Sequence, residues 1–263
     1  MTKTEILRAL HHGPEILVLP NAWDCASARI FEELRFPAIA TTSAGVSFAL
    51  GYADGQNIPA KEMLAAVQRI ARCVDVPVTA DLEGGYGDAS ETAAALLETG
   101  AVGLNIEDIS DYGAETLASI DQQVSKIAAL RKTGPVVINA RTDVYLLKIG
   151  DAATRFDRAC ERLKAYRDAG ADCLFIPGIV EEDLIARFVE ALEFPINILA
   201  VAGIPPIARL KELGVARISV GSGMMRSAMG HTRRIAEALK STGDFGKMIE
   251  GSIPYAEANA LFS

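Results

Sequence analysis

Short runs rich in valine, isoleucine and leucine recur along the chain, each followed by a polar or glycine-containing turn and then by a stretch with helical spacing. Eight such runs occur: Ile16 to Leu19, Ala38 to Thr42, Val76 to Ala80, Val102 to Ile106, Val136 to Ala140, Cys173 to Ile176, Ile196 to Ala200 and Arg217 to Val220. The order of short apolar run, turn and amphipathic stretch is the βα alternation of a parallel sheet. Apolar residues at Met63, Val67 and Ile70, at Phe156, Ala159, Cys160 and Leu163, and at Leu184, Phe188 and Leu192 predict helices that lay one face on that sheet. Asp88 followed by Glu91 predicts a helix start, Pro59 and Pro205 suit first-turn positions, and Gly100, Gly170 and Gly214 suit left-handed stops.

A helix end, a glycine and a strand recur as Glu98-Thr99-Gly100-Ala101, Asp168-Ala169-Gly170-Ala171 and Glu212-Leu213-Gly214-Val215. Their irregular spacing points to one βα unit used repeatedly, not to a solenoid. An open doubly wound sheet would give the same alternation. Acidic, basic and small residues cluster just after the second to fifth runs, however, and strand carboxyl ends form the active face of a barrel. The expected fold is therefore an α/β (β/α)8 TIM barrel. A length of 263 residues, half of them hydrophobic, suits one such domain over 1–263. The eighth helix is expected at Met224 to Lys240, and 241–263 forms a C-terminal helical extension whose Ile253, Tyr255 and Leu261 need a surface to pack on.

Charge narrows the partners. Lysine and arginine total 26 against 34 acidic residues, a formal charge of −8, so no broad basic field exists for nucleic acid or an anionic membrane. Cys25, Cys73, Cys160 and Cys173 match no zinc spacing and read as reduced core thiols. Met1 to Leu10 lacks the apolar run of a secretory signal. The expected location is cytoplasmic.

The candidate chemistry lies at the strand ends. Strand three ends in Thr79-Ala80-Asp81-Leu82-Glu83, and an extended backbone would put Asp81 and Glu83 on one side. Strand four ends in Asn105-Ile106-Glu107-Asp108, and Asp54 stands on the loop after strand two. Oxygen donors alone favour magnesium, with manganese as the substitute. Asp81 is then the direct ligand, and Glu83, Glu107 and Asp54 act mostly through water. Each acid taken alone serves equally as a helix cap or a solvated loop residue. Arg141, at the end of strand five, suits a substrate carboxylate, or else neutralises the neighbouring acids; Asp143 is placed to hold it. Thr42-Ser43-Ala44 offers small side chains and amides for a carboxylate or an enolate oxygen, or forms a plain turn. His11, His12 and His231 fall outside the strand ends, leaving no imidazole for acid–base work there.

These residues resemble the isocitrate lyase and phosphoenolpyruvate mutase superfamily, from Pro20-Asn21-Ala22-Trp23-Asp24 to Gly221-Ser222. The superfamily's aspartate-x-aspartate-x-glycine-tyrosine-glycine signature is matched by Asp81-Leu82-Glu83-Gly84-Gly85-Tyr86-Gly87, with glutamate for the second aspartate. The resemblance implies a magnesium site on Asp81, Glu83, Glu107 and Asp54. It also implies a substrate arginine at Arg141, a carboxylate-binding turn at Thr42, Ser43 and Ala44, and an oxalate-like ligand whose enolate form is stabilised while a bond breaks. It further implies an eighth helix swapped between subunits, in a homo-oligomer that is a dimer or tetramer. Tyr86 is the candidate proton carrier.

One stretch departs from the superfamily. Its lyases carry a lysine-lysine-cysteine-glycine-histidine loop after strand four, where this chain has Ile109-Ser110-Asp111-Tyr112-Gly113-Ala114-Glu115-Thr116. The lysine and asparagine of the mutase loop are missing too, and Pro177 stands where mutases have a histidine. The expected activity is a magnesium-dependent lyase acting on a small 2-oxo or 2-hydroxy acid through an enolate, by decarboxylation or carbon–carbon cleavage of an oxaloacetate-like acid. The alternatives are a phosphonopyruvate mutase or hydrolase, and a non-catalytic relative that binds metal and carboxylate.

Overall fold

The computed structural model describes residues 1–263. Its strands are β1 (Leu17–Leu19), β2 (Asn21–Ala22), β3 (Ile39–Thr41), β4 (Val78–Asp81), β5 (Gly103–Glu107), β6 (Ile109–Asp111), β7 (Thr116–Leu117), β8 (Val137–Arg141), β9 (Cys173–Phe175), β10 (Ile196–Leu199) and β11 (Arg217–Ser219). Nine of them form one sheet in the order β1-β11-β10-β9-β8-β5-β4-β3-β2, every pair parallel. β1 and β2 are one strand interrupted at Pro20, which has no N–H to give to a ladder. Below the proline the strand pairs with β11 and above it with β3, while the Pro20 carbonyl accepts from Ala40 N–H at 2.9 Å. That double pairing closes the ring, and the eight predicted runs are its eight strands.

Side chains alternate across each strand. Val78, Ala80, Leu104, Ile106, Ile138, Ala140 and Leu174 face the helices in a large buried core. The barrel interior is graded from apolar to charged. Leu7, Leu17, Leu19, Ala38, Ala40 and Val137 cluster at one end, where the helix Lys3–Leu10 plugs the barrel. A Cβ on Gly103 would come within 2.8 Å of Leu7 and of Thr79 Oγ1, so only glycine lets the plug seat. Above this lie Asn105, Asn139, Asn197, Arg217 and Ser219, all buried. The top layer contains Asp81, Glu107 and Arg141; Glu107 pairs in register with Arg141.

The helix signals fall as expected, with one shift. Asp88 caps Ala89–Thr99, accepting from the N–H groups of Ser90 and Glu91, and Gly100 ends that helix with φ 92°. Pro59 caps Ala60–Arg72, but Pro206 and not Pro205 caps Ile207–Glu212. All four cysteines are free. Cys160 and Cys173 are buried, whereas Cys25 and Cys73 are only half-buried. The eighth helix runs over Gly223–Thr242 and buries none of its residues; two short helices follow, Gly246–Glu250 and Tyr255–Ala260. No helix is long and apolar enough to cross a membrane.

Candidate active site

Strand β4 stops at Asp81 instead of running on to Glu83. Gly85 N–H donates to the Leu82 carbonyl at 2.8 Å, and the chain turns through positive φ at Glu83 (50°), Gly85 (105°), Tyr86 (53°) and Gly87 (91°). A Cβ on Gly85 would stand 2.7 Å from that of Ala89, so this turn requires glycine there. Asp81 and Glu83 therefore meet by a turn and not by the alternation of an extended strand: Glu83 N–H lies 3.4 Å from Asp81 Oδ1.

A cleft of about 190 Å³ opens at this end of the barrel, lined by Ser43, Asp54, Glu83, Glu107, Tyr112, Arg141 and Asp143 among others. Asp81 stands at its side. Its Oδ2 accepts from the Ser43 hydroxyl at 2.8 Å and from Ser43 N–H at 3.4 Å, and its own N–H is held by Thr41 Oγ1 at 3.0 Å.

Arg141 joins the acids together. Its Nε and one terminal nitrogen donate to the two oxygens of Asp143 at 2.7 and 3.0 Å, and its other terminal nitrogen meets Glu107 Oε2 at 2.6 Å. Two of the roughly five N–H groups of a guanidinium are hydrogen-bonded, both to Asp143, and the Glu107 contact is an ion pair, so N–H groups remain on the outer edge of the guanidinium. Burial works against its charge, but Glu107 and Asp143 outweigh burial and hold it protonated. Burial pushes Glu107 above the usual carboxylate range, and Arg141 only partly opposes this, because one cation is shared by two acids.

Glu83 is 3 % exposed, and neither of its carboxylate oxygens has a hydrogen-bond partner. Burial first, then the charges of Asp81, Glu107 and Asp54, push its pKa up to about 8. Asp54 is raised by burial and by Asp81. No three His, Cys, Asp or Glu side chains are disposed as a ready metal cage.

The remaining expected residues are placed less uniformly. Thr42 is buried, and its hydroxyl caps the helix Ser43–Leu50 by accepting from Gly45 N–H; Ser43 lines the cleft, and Ala44 is buried behind it. Tyr86 does not line the cleft. It borders a hollow between the helices Ala60–Arg72 and Ala89–Thr99, and its hydroxyl is buried without a partner. Burial and Glu83 raise its pKa. Tyr86 thus sets its ring between two helices, with its hydroxyl beside Glu83 and not on the cleft wall.

Several residues that organise the site went unmarked in the sequence. The Ile109–Thr116 departure folds as the antiparallel hairpin β6–β7, turned by Asp111, whose Oδ1 accepts from the N–H groups of Gly113 and Ala114. The Asp111-Tyr112-Gly113 turn chemistry was the available signal. The hairpin presents Tyr112, whose hydroxyl donates to Glu107 Oε1 at 2.7 Å and accepts from Gly84 N–H at 2.9 Å. Gln56 holds Tyr86 N–H at 2.7 Å. Lys126 Nζ donates to the Gly84 carbonyl at 2.9 Å. Asp108 points away from the cleft, fully buried. It accepts from Thr142 Oγ1 (2.7 Å), Asp143 N–H (3.0 Å), Arg162 (3.1 Å) and Tyr166 (2.7 Å), and so fixes the segment that carries Asp143.

Comparison with known proteins agrees with this geometry. The family model described as phosphoenolpyruvate phosphomutase matches residues 7–240. The chain is 37% identical over 256 residues to an uncharacterised protein of Mycobacterium tuberculosis strain H37Rv, covering 95% of this chain and 93% of that one. It is 32% identical over 229 residues to the oxaloacetate decarboxylase of Rhodopseudomonas palustris strain HaA2, covering 81% and 75%. The solved structure of oxaloacetate acetylhydrolase with its product oxalate superposes with TM-score 0.88 at 26% identity, covering 99% and 93%. The chain thus belongs to the phosphoenolpyruvate phosphomutase family, and is a carbon–carbon lyase enzyme of the isocitrate lyase and phosphoenolpyruvate mutase superfamily.

Proposed function

We propose that the chain is a magnesium-dependent lyase that cleaves an oxaloacetate-like 2-oxo acid through its enolate. The observation that carries this reading is the crowding of carboxyl groups in the cleft, which adds to burial in raising Glu83 and Asp54 and which a cation would relieve. Asp54, Glu83, Glu107, Glu115 and Asp143 line it against Arg141 alone, and both oxygens of buried Glu83 lack a partner. A dianionic substrate enters such a cleft only with a cation. An all-oxygen donor set fits a hard divalent ion, magnesium or manganese. Asp81 would hold it directly, with Glu83, Glu107 and Asp54 acting through water. When bound, it supplies Lewis acidity to the oxygens of the 2-oxo acid.

The chain's own groups do the rest. The outer N–H groups of Arg141, fixed by Asp143 and Glu107, orient one substrate carboxylate. Ser43, by its hydroxyl and N–H at the amino end of its helix, holds Asp81 Oδ2 in place and favours its ionised form. In decarboxylation the carbon–carbon bond breaks, carbon dioxide leaves, and its electron pair passes into the enolate, which takes up a proton to give pyruvate. Relatives that act on oxaloacetate support this substrate class. The β6–β7 hairpin lacks the cysteine of the isocitrate-cleaving loop and the lysine and asparagine of the mutase loop, which disfavours those two reactions.

Carbon-13 NMR of oxaloacetate incubated with enzyme and magnesium tests the reading. Pyruvate, or oxalate with acetate, is expected, and the reaction stops with chelator. Turnover of phosphonopyruvate alone would favour the mutase or hydrolase, and binding without turnover of either would favour the non-catalytic relative. We also propose that the helix Gly223–Thr242, which buries none of its residues, packs on a second copy of the chain, since Met224, Met229 and Leu239 on it and Phe245 just after it are all more than a third exposed. Light scattering that shows only monomer would contradict this.

A further inference from the structure

Beneath the acidic cleft lies a cation that the proposed chemistry does not use. Arg217, on β11, has no exposed surface, and no carboxylate lies within ion-pair distance of it. One terminal nitrogen donates to Asn105 Oδ1 at 3.1 Å, the other stands 3.5 Å from His11 Nε2, and its Nε has no partner. His11 cannot compensate it: its Nδ1–H donates to the Leu7 carbonyl at 2.7 Å, and burial and Arg217 itself keep the ring neutral. Burying an unpaired cation costs several kcal/mol, so its persistence in a barrel core calls for a compensating charge nearby.

The strand register shows where that charge is. Asn105, which Arg217 touches, is the register partner of Asp81 on β4 and of Asn139 on β8. Two residues beyond Asn105 on β5 and beyond Asn139 on β8, on the same faces, stand Glu107 and Arg141. The guanidinium thus contacts a side chain one step below Glu107 and level in register with Asp81, and after Cys173 it is Asp81 whose field reaches it.

We propose that Arg217 is a positioning residue that balances the acidic cleft from below, weakening its hold on the bare divalent cation and strengthening its hold on the anionic substrate. The role rests on the metal-assisted reading above, yet it makes a separate claim. A fixed positive charge repels a cation and attracts an anion, so removing it moves the two affinities in opposite directions. A defect of packing or folding would weaken both together. Through a partly buried path, a unit charge this close changes each affinity on the order of tenfold.

The test is calorimetry on the full chain, using magnesium alone and then oxalate at saturating magnesium, in the parent, Arg217→Met and Arg217→Lys. In Arg217→Met, magnesium should bind about tenfold tighter and oxalate about tenfold weaker; in Arg217→Lys, which keeps the charge, both should stay within a few-fold of the parent. Parallel weakening of both ligands in Arg217→Met, unchanged affinities there, or a lysine variant that behaves like methionine would overturn the proposal. If Arg217→Met does not fold, Arg217→Gln, which keeps a donor for Asn105 Oδ1 without the charge, takes its place with the same expected and refuting results. Failure of the parent to bind oxalate with magnesium would instead count against the metal-assisted reading itself.

Discussion

Asp108 makes the most demanding structural prediction, because in the sequence it looks like half of an acidic pair at the active site. The structure turns it outward, where it accepts four hydrogen bonds, including those from Arg162 and Tyr166. Arg162 is 11 % exposed at its side chain and keeps only Ala118 O and Tyr166 once the acid is gone. Breaking a buried pair by removing one partner costs about 3–5 kcal/mol. Asp108→Ala should therefore lose roughly that much stability in urea denaturation, and its melting temperature should fall by roughly 10 °C, at about 2–4 °C per kcal/mol for a domain approaching this size. Since Asp108 also anchors Asp143 N–H, oxalate affinity should fall in the same variant. A loss under about 1 kcal/mol, with unchanged oxalate binding, would refute the assigned role.

Three further outcomes follow from the same contacts. Tyr112→Phe removes the hydroxyl shared by Glu107 and Gly84 N–H; it should cost about 2–3 kcal/mol and weaken oxalate, whereas unchanged binding would show that the hairpin does not hold the site. Burial lowers His11 from its ordinary 6.5 to about 4. The unfolded chain therefore takes up a proton first, and the stability contributed by the neutral ring is complete above pH 6.5 and is lost as pH falls toward 4. Between pH 7 and 5 the loss is about 2 kcal/mol, and it should vanish in His11→Gln in denaturation series at both pH values. Gly103→Val sets side-chain atoms against Leu7 and Thr79 and should destabilise by about 1–3 kcal/mol; a wild-type melting temperature would show that the helix plug is loose.

The barrel was legible because strands buried on both faces must be apolar runs, and each of the eight became a strand. Closure was not, since one strand pairing to both sides of Pro20 leaves no mark in hydrophobic spacing. Period-two alternation along β5 sets Glu107 inside and Asp108 outside, although the two adjacent acids read as a pair. The same alternation misled beyond Asp81, where glycine-rich backbone turns through positive φ and brings Glu83 to Asp81 by a turn. Arg217 read as the edge of a strand, because nothing local tells a buried cation from a solvated one. Tyr112 acts through contacts with Glu107 and Gly84, which are brought to it by the end of β5 and the loop after β4.

The central claim is that the cleft binds an enolate-like dianion together with a divalent cation held by Asp81. Calorimetry of oxalate binding, with and without magnesium, in the parent and in Asp81→Ala tests it most directly. Tight binding is expected only when both magnesium and Asp81 are present. Binding of equal strength without the metal, or undiminished in Asp81→Ala, would contradict it.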